Sequence, residues 1–235
     1  MTLVWDRAKR GVQPDRIFFT TMAIAMAGVV LAGFAPSYYF RSANLPPLTP
    51  LYQLHGFLFT TWIGVFIAQN GLVVGRRTDL HRRLGIAGAV LAAAVFVTGV
   101  VVSIETFRRG GGGENPQRFL SIPLGDITAF GALVTAGLLL RRNAAAHKRL
   151  MLLATISLLA AGFGRGLDQI HMEGRVAFFL CTAVFVAIVL AYDFASRGRI
   201  HPATLWGGLT VAAFKPALFA FSATSAWMAF ASALR

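Results

Sequence analysis

Cysteine is all but missing from this chain. Cys181 is the single one among 235 residues, which excludes an internal disulfide, a cysteine-built zinc site and a CxxC redox pair. It lies in an apolar run and reads as a small hydrophobe. Charge is scarce too. Asp, Glu, Lys and Arg make up 13% of the residues, against roughly a quarter in an ordinary soluble domain, too little to cover a water-facing surface in the usual way. Acids are the scarcest, 9 against 22 Lys and Arg. The HxxxH and HxxHH boxes of membrane desaturases and hydroxylases are absent, as are HExxH, GxSxG, a P-loop and GxGxxG. Gly110 to Gly113 is a run of glycine that no strand can precede, and it reads as the flexible part of an outer loop, 105–118.

What fills the chain instead is hydrophobicity, 56% of the residues. A helix needs about 20 apolar residues to cross the hydrocarbon core. Seven segments qualify: 17–38, 51–73, 84–104, 119–140, 149–166, 175–193 and 203–228. The expected fold is an all-α membrane protein, a seven-transmembrane-helix bundle forming one transmembrane domain over 1–235. Short connections make successive spans antiparallel neighbours. Fourteen of the 22 basic residues fall before the first span and in the 2–3, 4–5 and 6–7 connections, and seven on the other side. That asymmetry predicts the N-terminus inside and the C-terminus outside. It suits an anionic inner leaflet, so the net charge of +13 does not point to nucleic acid. The basic start before a long apolar run reads as an uncleaved first helix.

Ionisable groups inside spans are costly and mark functional sites by default. On the second span Tyr52, His55, Phe59, Trp62, Phe66 and Gln69 recur in steps of three and four, which puts them on one helix face. Such a stripe suits the wall of a flat cofactor or a polar path, and equally a helix–helix seam. His55 and His171 belong to the outer side, where Asp126 and Asp168 lie at a similar level. Neutral imidazoles with carboxylates can hold a transition metal ion. His81 and His147 each open a span with the pattern His-basic-basic-Leu, and Asp79 and Asn143 stand just upstream as N-caps. This repetition suggests equivalent faces, so one planar porphyrin could bridge the two rings. Asp126 and Lys215 are the deepest charges and are expected to pair, with Pro216 bending the seventh span. Lys215 also admits a retinal Schiff base, although the third span has no mid-span carboxylate as counter-ion. Gly85, Gly88 and Ala92, and Gly162, Gly164 and Gly166, mark close helix contacts.

Two stretches carry a resemblance. Leu54-His55-Gly56-Phe57 continues through Trp62 and Gln69 to Leu80-His81-Arg82-Arg83-Leu84-Gly85, and His147-Lys148-Arg149-Leu150-Met151-Leu152 follows later. With Trp206-Gly207-Gly208 they resemble a group of uncharacterised bacterial multi-span inner-membrane proteins over most of 50–215. More distantly they resemble di-haem transmembrane cytochromes b of the ascorbate- or ferric-reducing kind. That likeness implies haem b between helices on paired histidines near both membrane faces. His81 and His147 match its inner pair and His55 an outer ligand, while Asp126 stands where the outer partner is expected and His171 lies in a later loop. The expected function is therefore haem b binding and transmembrane electron transfer in a bacterial inner membrane, with a quinone or redox partner. The rival is a non-enzymatic small-molecule or metal transporter, or an accessory subunit of a larger complex.

Overall fold

Among the described residues, seven helices are long and apolar enough to cross a membrane: Pro14–Tyr39, Pro50–Val74, Thr78–Arg108, Pro116–Leu139, Ala144–Gln169, Phe179–Arg197 and Pro202–Phe221. The computed structural model describes residues 2–41, 43–171 and 175–235, with side chains at all of these except 2–13, 175–178 and 215. In chain order the helices are α1 (Thr2–Phe34), which passes into a π-helical turn at Ala35–Tyr39, α2 (Pro50–Val74), α3 (Thr78–Arg108), α4 (Pro116–Phe119), α5 (Ser121–Leu139), α6 (Ala144–Ser157), α7 (Ala160–Gln169), α8 (Arg175–Arg197), α9 (Pro202–Phe221) and α10 (Ser225–Ala233). No strand occurs among the described residues. This is the architecture of a multi-pass membrane protein.

Local chemistry sets several boundaries. Pro50 and Pro202 open α2 and α9, where a missing N–H costs nothing. Asn143 caps α6 as expected, accepting from the Ala146 N–H at 3.1 Å. Asp79 does not cap α3. The helix starts at Thr78 with Arg77 in the cap position, and Asp79 sits in its first turn, 3.7 Å from Arg77, where an acid favours the positive end of the helix dipole.

The fifth crossing is two helices in line, not one interrupted at Arg165. At the junction the Leu158 and Leu159 N–H groups bond to the Thr155 and Ile156 carbonyls, three residues back, at 3.2 and 3.1 Å, a tighter 3₁₀-type turn. α7 then runs straight through Arg165. The last crossing ends at Phe221, earlier than 228. Thr224 caps a separate α10 by accepting from Trp227 N–H, and α10 lies against α4, with Trp227 Nε1 donating to the Gln117 carbonyl at 2.7 Å. Trp227 is thus packed inside at 7% exposure rather than marking a membrane interface.

α6 is the central element. It packs on α5 and α9 and touches α1 and α8, while α2 joins α1 to α3 and α3 packs on α5. The core centres on Met26, Trp62, Val95, Phe130, Leu152 and Ile156. Apolar side chains cover the outside as well: Ile86, Val90, Val184 and Leu180 are all more than half exposed, which suits lipid as solvent. Of the glycines expected at close helix contacts, Gly162 makes one, whereas a Cβ on Gly166 would meet nothing within 4 Å and those on Gly85 and Gly88 would make only ordinary side-chain contacts. A Cβ on Gly33 would overlap the Gly162 carbonyl, so α1 and α7 approach backbone to backbone. The connections after α2, α5 and α8 share one end, rich in Arg and Lys, called the basic end here; those after α1, α3, α7 and α9 share the far end.

Candidate functional site: a histidine pair and a far-end cavity

Two groups of polar side chains stand at opposite ends of the bundle axis. At the basic end His81 sits in the first turn of α3 and His147 in the first turn of α6. Their ring centroids are 6.3 Å apart and their planes cross at 86°. Imidazoles on opposite sides of one metal, at ~2.0–2.1 Å from each nitrogen, have centres about 6 Å apart. His147 Nδ1 lies 2.8 Å from the Gly137 carbonyl. A carbonyl only accepts, so Nδ1 carries the proton and Nε2 is left with its lone pair. A ligating histidine is commonly oriented in this way. His81 Nδ1 and Gln69 Oε1 are buried without a hydrogen-bond partner, and Gln69 reaches toward Gly85, one turn beyond His81.

Trp62 and Phe66 lie between the two ends and are fully packed. Trp62 Nε1 donates to Thr155 Oγ1 at 3.3 Å, and its ring meets Phe130 edge-on at 5.0 Å. These rings form core between α2, α5 and α6 and do not line an open path.

At the far end, α1, α2, α3, α5 and α7 surround a cavity of about 1000 Å³. His55, Asp126 and Asp168 all line it, with Arg165; the His55 ring lies 4.1 Å from that of Phe59. His171 does not join them. The turn that ends α7 throws it outward at φ 54°, it is exposed, and it is not among the residues lining the cavity. Among the described residues, no three His, Cys, Asp or Glu side chains gather to hold a metal ion. The expected outer set is therefore drawn together only in part. The side chain of Lys215 lies outside the described residues, and so do the Asp126–Lys215 pair and the retinal lysine.

One cluster at the basic end was not foreseen. Arg149 and Asp193 form a buried ion pair at 0% and 1% exposure. Arg149 Nε donates to both carboxylate oxygens at 2.9 and 3.1 Å, and its Nη1 donates to the Ala145 carbonyl at 2.9 Å. Asp193 also accepts from the His201 N–H at 3.1 Å and from the Thr204 hydroxyl. Next to it Asp15 takes Lys148 and the Tyr192 hydroxyl, and Tyr192 stacks on Phe18 at 3.7 Å. Arg149 and Lys148 read from sequence as interchangeable basic anchors. The signal that distinguishes them is Asp193, an acid at the end of an otherwise apolar helix. His201 rounds off the cluster. Burial, then the charges of Arg149 and Arg197, push it below the ordinary histidine range, and its Nδ1 accepts from the Ala203 N–H at 3.1 Å.

Comparison with protein-family models, curated proteins and solved structures finds no match.

Proposed function

We propose that this chain is a haem b-binding electron-transfer protein of a bacterial inner membrane, a transmembrane reductase or a carrier within one. A single observation carries the reading: two imidazoles from separate spans meet at right angles with ring centres 6.3 Å apart. His81 and His147 would hold the haem iron. The Gly137 carbonyl would hold the His147 ring in one tautomer, and the buried Gln69 side chain lies beside Gly85, one turn from His81. Haem supplies one-electron exchange, at a potential set by its ligands and its burial. The packed Trp62 and Phe66 would keep water out between the two ends. The basic end would face the cytoplasm, by the rule that Lys and Arg stay inside, and the partners would be the bilayer and a quinone or another redox carrier.

The test is a spectrum. Protein expressed with ample haem is expected to show the Soret and sharp reduced α-band of bis-imidazole iron, and His81→Ala or His147→Ala is expected to lose them. A colourless wild-type preparation would sink the proposal. The far-end cavity favours the rival, a carrier of small molecules or metal, which a colourless protein would leave as the reading to pursue.

A further inference from the structure

Of the buried polar side-chain atoms without a hydrogen-bond partner, four belong to residues lining the far-end cavity: Ser37 Oγ, Arg41 Nε, His55 Nδ1 and Arg118 Nε. The two Arg nitrogens can only donate and the serine hydroxyl can, while the neutral His55 ring gives its proton to the Thr98 backbone and leaves Nδ1 as an acceptor. Unpaired buried donors are costly, so the cavity is built for a molecule that brings acceptor oxygens. The charges say which kind. The described lining residues carry three cations, Arg41, Arg118 and Arg165, and three anions, Glu114, Asp126 and Asp168. A charged ligand would upset that balance in a site of low dielectric, whereas a neutral one would not.

The walls specify the rest. Phe34, Tyr52, Phe59 and Phe119 offer ring faces, and Val30, Ile63, Ile127 and Leu158 an apolar lining. The volume of about 1000 Å³ is at the upper end of the ~300–1,000 Å³ typical of sites for drug-sized organic molecules and far beyond the needs of a bare ion. We infer that the cavity binds a membrane quinone. Its planar, neutral head has a carbonyl on each side, and its apolar tail matches the lining. Tyr52 and the His55–Phe59 pair would flank the ring, with Ser37 and the two Arg Nε–H groups meeting the oxygens. This deepens the electron-transfer reading by giving the quinone a place, but the site lies at the opposite end from His81 and His147, and binding requires no haem.

The experiment is a calorimetric titration of the full chain in lipid nanodiscs with decylubiquinone, with decanoate as the tail-matched acid. Saturable one-to-one binding of the quinone above that of empty nanodiscs is expected. It should weaken at least tenfold in His55→Leu and in Ser37→Ala, and be unchanged in Val184→Ala on the lipid face of α8. Binding no greater than that of empty nanodiscs overturns the inference, as does preference for decanoate. Wild-type affinity in either folded variant overturns it too; Ser37→Ala decides if His55→Leu does not fold. A colourless protein that still binds quinone would refute the haem reading alone.

Discussion

Asp193 holds three elements together. It sits on α8, takes Arg149 of α6 in a two-pronged contact, and accepts from His201 and Thr204 at the start of α9. A buried carboxylate is tolerated only when its oxygens are filled and its charge is matched, and here both conditions hold. Removing one partner of such a pair leaves the other charged and unpaired, at a cost of about 3–5 kcal/mol. Asp193→Ala is expected to destabilise the protein on that scale, as measured by thermal or denaturant unfolding in detergent. The double variant Arg149→Met with Asp193→Leu should lose less than Asp193→Ala, because no orphaned charge remains. Equal losses would mean that the pair contributes through shape alone.

At the scale of the helix, the contact between α1 and α7 depends on the absence of a side chain. Gly33 and Gly162 let the two backbones touch, and Gln169 Nε2 donates to the Gly33 carbonyl at 3.1 Å just beyond. Gly33→Ala pushes a methyl group into the Gly162 carbonyl, and the helices must part. A loss of roughly 1–3 kcal/mol is expected, the usual range for overpacking, read as a lowered unfolding temperature. Gly28→Ala is the control on the same helix, since a Cβ there meets nothing within 4 Å, and alanine suits a helix better than glycine. If both substitutions behave alike, the α1–α7 crossing is not close-packed. The division of the fifth crossing at Leu158 belongs to this scale as well. A turn of i→i+3 backbone bonds at Leu158 and Leu159 separates α6, which bears His147, from α7, which helps to line the cavity.

For the whole molecule the main feature is polarity along the axis. One end gathers most of the basic residues, the His81–His147 pair and the Arg149 network; the other carries the cavity; packed aromatic core separates them. With the basic end inside, a reporter fused after Arg235 is expected to be active only if it works outside the cytoplasm. Activity of a cytoplasm-only reporter there would reverse the assignment and turn the cavity inward.

The number of crossings was legible in the sequence because lipid imposes it: length and hydropathy decide whether a helix can span, whatever it packs against. The histidine pair was legible for a related reason. His81 and His147 occupy the same register at the start of their spans, and register survives folding. What the sequence could not supply was every distinction that depends on a partner from another span. Arg149 and Arg142 look alike in the chain, yet Arg149 lies wholly buried against Asp193. His171 looked like a companion of His55 until the turn after α7 pointed it outward. Trp62 and Phe66 stand in a stripe that suits a cofactor wall, a polar path or a helix–helix seam, and they are packed core. Burial, pairing and cavity volume arise between elements, and no single stretch of chain contains them; only the tertiary structure decides them.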